Sequence, residues 1–134
     1  MSSDAAHEVW LLMSDLVLDN QRRREVSDAT GMTFGRTRAI RRVARRPMSM
    51  GELAAVLGID PPNATTLVAE LEDQGFVRRR PHPTDGRAKV VEATRKGKEL
   101  ARRAEAILAT PPARLSELPD EHLATLLRIL EMVR

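Results

Sequence analysis

Cysteine is absent from the 134 residues. With no thiol, disulfides, thiolate metal sites and cysteine-based redox sensing are all excluded. Aromatic residues are limited to Trp10, Phe34 and Phe76, so a core has to be built from Leu, Val, Ile, Ala and Met, a set that favours helices. No run approaches the ~18 apolar residues of a membrane span. The first residues (Ser2, Ser3, Asp4, His7, Glu8) lack the basic start and apolar centre of a signal peptide. The expectation is a cytoplasmic protein without a membrane partner. There is no Gly-rich phosphate loop and no HExxH pair, and the three histidines, His7, His82 and His122, are isolated in the chain. The sequence therefore reads as a non-enzyme, with no cofactor and no metal.

A length of 134 residues suits one domain, residues 1–134. The net charge is only +3, but it is unevenly placed: residues 33–98 hold fourteen Arg and Lys against seven Asp and Glu, a net of +7, which leaves −4 for the rest. A basic segment of this kind is the footprint of a polyanion binder. The nineteen arginines against three lysines are also what a GC-rich genome produces, so position has to decide.

Val9, Leu12, Met13, Leu16 and Val17 form an apolar helical stripe over residues 5–19, which Trp10, Leu11 and Leu18 extend almost all round. Such a helix wants a partner on more than one side. Ser, Asp, Thr and Gly interrupt the pattern over residues 27–32, after which Thr33 is placed to cap a helix running to about Arg45 and stopped by Pro47. Ser49 with Glu52 is a capping box. The helix it opens is short, with Leu53, Ala54 and Leu57 on one face, and Gly58 ends it. Two residues later Asp60 can cap again and Pro61 suits a first helical position; Ala64, Leu67, Val68 and Leu71 face inward until Gly75. Two short helices on a tight Gly-containing turn make a helix-turn-helix.

Next come Phe76, Val77 and three arginines, a loop of sequence PHPTDGRA, and Lys89, Val90, Val91 and Glu92. This reads as a hairpin with Asp85-Gly86 as its turn, a wing. A polar helix from Arg95 to about Leu108 follows. Pro111 and Pro112 break it, and Pro119, Asp120 and Glu121 open a last helix bearing Leu123, Leu126, Leu127, Leu130 and Val133. The fold class expected is mainly α with a small β-hairpin wing.

Within this order, MSMGELAAVLGIDPPNATTLVAELEDQGFVRRRPHPTDGRAKVVEATRKGKEL closely resembles the core of MarR-family regulators. The most telling part is Asp85 two positions before Arg87, followed by a strand and a Thr-x-x-Gly helix start at Thr94 and Gly97. The resemblance implies a winged helix-turn-helix core (33–98) flanked by dimerisation helices (1–28 and 99–134) and a homodimer whose first and last helices intertwine. It also implies wings that enter the minor groove, and often a pocket for a small-molecule effector. In two places the chain departs from the family pattern. Gly86 stands where many members carry another basic residue, and Thr65-Thr66 stands where an Arg often follows the Thr.

Asn63, Thr65 and Thr66 fall in the first turns of the recognition helix, the end that enters the major groove in this motif. Their amide and hydroxyls suit base edges or phosphates. Arg87 at the wing tip suits a narrow minor groove, Lys89 follows it on the returning strand, and Asp85 is placed to orient an Arg by ion pairing or to serve as a turn residue. Of Arg78, Arg79 and Arg80, alternate side chains must face opposite sides. The partner expected is a pseudo-palindromic double-stranded DNA operator. The function expected is a sequence-specific transcriptional regulator, read as a repressor released by a small molecule or other signal. The alternative is a winged-helix protein-interaction module.

Overall fold

The computed structural model describes residues 2–134. In chain order the elements are α1 (Ser2–Asp19), α2 (Arg23–Thr30), α3 (Phe34–Arg45), β1 (Met48–Ser49), α4 (Met50–Leu57), α5 (Pro61–Asp73), β2 (Val77–Pro81), β3 (Lys89–Ala93), α6 (Arg95–Leu108), α7 (Ala113–Ser116) and α8 (Asp120–Val133). They divide into two units, one made of residues 21–108 and the other of the two chain ends, up to residue 20 and from residue 109.

Local capping chemistry sets the helix starts of the larger unit. The Thr33 hydroxyl accepts the Arg36 amide, Ser49 accepts that of Glu52 and Asp60 that of Asn63, each satisfying a donor the helix cannot pair internally. Gly58 ends α4 at φ +68, a conformation that costs an L side chain on the order of 1 kcal/mol. The turn into α5 therefore takes only three residues. From these elements Ile40, Leu53, Val68, Leu71 and Val91 come together fully buried, each worth roughly 1.5–3 kcal/mol relative to exposure. The sheet has the order β1-β3-β2, all antiparallel. β2 and β3 pair from Val77 opposite Ala93 to Pro81 opposite Lys89, which makes them the wing. On α6, Leu100, Ala101 and Ala104 are buried, so residues past 99 that the sequence reading gave to dimerisation also serve this core.

Three elements escaped the sequence reading. Helix α2 starts before the segment read as an interruption, 27–32, and runs into it as far as Thr30; it is polar, with Val26 its one buried residue and Gly31 its left-handed stop, so it shows no periodic stripe. Strand β1 is two residues long and exists through pairing Met48 with Val91 and Ser49 with Val90. The single turn α7 follows Pro112.

In the smaller unit neither α1 nor α8 has a buried residue among those described. Trp10 is 65% exposed and Met132 78%, and Leu12, Val17, Leu127 and Val133 are exposed beside them. Among the described residues no helix is long and apolar enough to cross a membrane.

Candidate nucleic-acid interface

At 100° per residue, the line on α5 opposite the buried Ala64, Val68 and Leu71 carries Pro62, Thr66, Ala69 and Asp73, and Asn63 and Thr65 flank it on either side. All three candidate polar residues are exposed. Their local bonds define what they can offer. Thr65 donates its hydroxyl proton to the Pro61 carbonyl at 3.0 Å and Thr66 to that of Pro62 at 3.1 Å, which leaves each hydroxyl oxygen facing outward as an acceptor beside its methyl group. One Asn63 side-chain N–H donates to Asp60 Oδ2 at 2.9 Å; its carbonyl oxygen and second N–H stay available.

The helix N-terminus itself is closed to phosphate. Pro61 and Pro62 have no N–H, the Asn63 amide donates to Asp60 Oδ1 at 2.8 Å, and the Ala64 amide donates to the Asp60 carbonyl at 3.0 Å. Any contact made by this end has to come from side chains.

At the wing, Asp85, Arg87 and Lys89 are exposed. The ion pair expected between Asp85 and Arg87 is not formed. Asp85 Oδ1 accepts the backbone N–H of Arg87 at 3.1 Å instead, the two-residue reach by which an Asp side chain closes a turn. His82, read as an isolated histidine, belongs to the same turn: its Nδ1 accepts the amides of Thr84 at 3.2 Å and Asp85 at 3.1 Å. A ring nitrogen that accepts carries no proton, which fixes the tautomer. No group of three or more metal-ligating side chains occurs among the described residues.

Pairing sorts the arginines. Arg78 and Arg80, on one face of β2, both hold Glu92, at 2.6 and 2.9 Å, while Arg79 on the other face holds Glu72 of α5 at 2.9 Å. The Arg79 backbone N–H also donates to Glu72 at 3.1 Å, so the wing is tied to the recognition helix at that point. Arg36 pairs with Glu70, Arg41 and Arg45 share Glu105, and Arg46 pairs with Glu52. Arg38 donates to the Val56 carbonyl. Among the described residues of the basic segment this leaves the side chains of Arg42, Arg87, Lys89 and Lys98 without a hydrogen-bond or ion-pair partner. No such bond joins Asn63, Thr65 or Thr66 to Asp85, Arg87 or Lys89. The recognition helix and the wing tip are two separate polar surfaces of one unit.

The carboxylates respond to this pairing. Hydrogen bonds from Arg79, through its side chain and then its backbone, hold Glu72 below its usual value; Arg80 and then Arg78 do the same for Glu92, and Arg46 for Glu52. Burial acts to raise Glu105, and the hydrogen bond and charge of Arg41, joined by Arg45, outweigh it. A carboxylate whose folded value is depressed adds stability above its unfolded value, and that stability is lost as pH falls through the folded one. The melting temperature should therefore hold down to the unfolded value of about 4.5 and decline below it. Thermal melts of Glu72→Gln should show a shallower decline, and an identical pH profile would deny the wing-to-helix tie its role.

Comparison with known proteins follows the same lines. The MarR family model matches residues 30–88. An HTH-type transcriptional repressor of Mycobacterium tuberculosis is 34% identical over 97 residues, covering 69% of this chain and 70% of that protein. An uncharacterized HTH-type transcriptional regulator of Mycobacterium leprae is 44% identical over 57 residues, covering 42% of this chain. The chain spans only 40% of the length of that relative. Among solved structures, a transcriptional regulator from Thermotoga maritima matches at TM-score 0.71 and 26% identity, over 95% of this chain and 92% of that one. The multiple antibiotic-resistance repressor (MarR) from Listeria monocytogenes shares the fold at TM-score 0.77 and 19% identity, over 98% and 93% of the two chains.

Proposed function

The chain belongs to the MarR family, and from that premise we propose that it is a homodimeric, cytoplasmic regulator of transcription that binds a pseudo-palindromic double-stranded DNA operator. One observation carries this reading. In a segment where eight arginines are tied to carboxylates, the side chains of Arg87 and Lys89 on the exposed wing have no acid partner, and the polar groups in the first turns of α5 are uncharged. Free cations on a projecting loop suit a phosphate backbone or a narrow minor groove. Outward hydroxyl acceptors with methyl groups suit base edges, where a threonine methyl can meet that of thymine.

Repression is favoured over activation because the relatives from Mycobacterium tuberculosis and Listeria monocytogenes are repressors by name. Release by a small-molecule signal is carried over from the family in the same way. The dimer rests on α1 and α8, whose exposed apolar residues would leave a large patch uncovered in a monomer. Sedimentation at micromolar concentration should find a dimer. A well-folded monomer would overturn that part of the reading.

A gel shift on the DNA upstream of the protein's own gene, at moderate salt, tests the whole. A retarded, competable complex is expected. Failure to bind any fragment, with the protein folded, would turn the surface over to protein assembly. Competition over single-base operator variants then separates the two polar surfaces. Arg87→Ala should weaken all operators nearly alike, because the minor-groove pattern is degenerate. Asn63→Ala or Thr65→Ala should relax one symmetric pair of positions, by about 1–3 kcal/mol at each base pair. Asp85→Ala, which removes the acceptor of the Arg87 amide, should give a loss that is not additive with Arg87→Ala, as expected of coupled neighbours. Unchanged affinity in Arg87→Ala together with unchanged specificity in the α5 variants would show that neither surface reads DNA.

A further inference from the structure

A second basic surface lies away from the wing tip. Between the C-terminal half of α3, α6 and the base of the wing is an open cavity of about 860 Å³. Arg41, Arg45, Arg78, Arg95, Lys98 and Arg102 line it, against a single carboxylate, Glu105. Its apolar side chains are three alanines, Ala44, Ala93 and Ala101, which contribute methyl groups only.

The cations are graded in depth. Arg41 is the most recessed, its side chain 17% exposed, while Arg95 at the rim is 94% exposed. Arg41 and Arg45 converge on the same oxygen of Glu105, at 3.0 and 3.3 Å, so the rest of each guanidinium fork keeps donors to spare. The side chains of Lys98 and Arg102 have no hydrogen-bond or ion-pair partner among the described residues. Glu92 and Glu99 hold Arg78 and Arg95 from outside the lining. Even with both counted, three positive charges stay uncompensated around one cavity.

We propose that this cleft is a binding site for a small anion carrying two or more phosphate groups and a flat apolar portion, the chemical class of a nucleoside di- or triphosphate. Like charges held together repel one another, and an anion of matching charge relieves that repulsion; a monoanion leaves most of it in place. Planar guanidinium forks match phosphate oxygens two at a time. The volume falls in the range of small-molecule sites, and the alanine methyl groups give an apolar ring something other than charge to meet. A duplex offers its phosphates on a convex ridge that reaches Arg95 and Arg45 at the rim, whereas a small anion can reach Arg41.

Isothermal titration calorimetry of the full chain with ATP, without magnesium and at about 50 mM salt, tests the site, with sodium tripolyphosphate and sodium acetate as comparisons. One ATP per chain is expected, with weaker binding of tripolyphosphate, which has no apolar portion to set against the alanines, and none of acetate. The double variant Lys98→Ala/Arg102→Ala alters two exposed side chains and should weaken ATP binding at least tenfold. Arg102→Glu, read by the same titration, serves if the double variant is poorly folded. Arg87→Ala should bind ATP as the unaltered protein does. Three results would overturn the proposal: no saturable binding; equal losses in Arg87→Ala and the cleft variants, which marks general attraction to a basic protein; or cleft variants that keep ATP affinity and lose DNA affinity, which makes the cleft a DNA contact. A parallel gel shift keeps the two readings apart, since ATP binding by a protein that binds no DNA would spare the cleft and sink the regulator.

Discussion

Gly97→Ala is expected to lower the melting temperature by about 10 °C, against what helix propensity alone would give. Gly97 lies buried in α6, where alanine is the better helix former by roughly 1 kcal/mol. A β-carbon there, however, would stand 2.1 Å from the carbonyl oxygen of Phe76 and 3.1 Å from its carbon. Both sides of this contact are fixed. The same Phe76 oxygen accepts the Thr94 amide at 3.0 Å, and the Thr94 hydroxyl donates to the Gly75 carbonyl at 2.6 Å while accepting the Gly97 amide at 3.2 Å. Thr94 thus caps α6 and stitches it to the end of α5. Relief would require moving the backbone that starts the wing, so the cost should sit at the upper end of overpacking, about 3 kcal/mol, or ~10 °C for a chain of this size. Gly35→Ala is the control, because a β-carbon at that α3 position meets nothing within 4 Å. A Gly97→Ala protein melting at or above the unaltered one would refute the close approach.

Raising salt from 50 to 200 mM should weaken operator binding roughly a thousandfold. Among the described residues of the basic segment, the cationic side chains that have no partner and lie outside the cleft are Arg42, Arg87 and Lys89. In a dimer they amount to about six phosphate contacts, the lower end of the range for which losses of ~10³ to 10⁵ are expected. The arginines tied to Glu52, Glu70, Glu72, Glu92 and Glu105 add little to this slope, since each must first give up a carboxylate. Arg87→Ala, removing one contact from each subunit, should lower the slope of log K against log salt by about two. Fluorescence anisotropy on a labelled operator reads both quantities. A flat response would mean that phosphates are not what these cations meet.

The sequence by itself determined whatever depends on neighbours a few residues apart. Thr33, Ser49 and Asp60 cap their helices, and Gly58 turns α4 into α5, because these are exchanges between a side chain or a φ angle and the adjoining backbone. Asp85-Gly86 announces the wing for the same reason. Thr94 and Gly97 were visible as a pattern, but its cause, the Phe76 carbonyl pressed against α6, was not. Other features were decided by partners far away in the chain. Helix α2 has almost no apolar stripe to read, and β1 exists only because β3 passes beside it. The charge pattern was the least specific: fourteen cations in residues 33–98 read as the footprint of a polyanion binder, without saying which of them stay free. Folding paired Arg41 with Glu105, 64 positions on, and Arg36 with Glu70, 34 positions on, and it left Arg87 and Lys89 free. Spacing in a sequence encodes contacts within a turn or a hairpin. Which charges meet across the core depends on how the helices pack, and that settles which arginines remain unpaired.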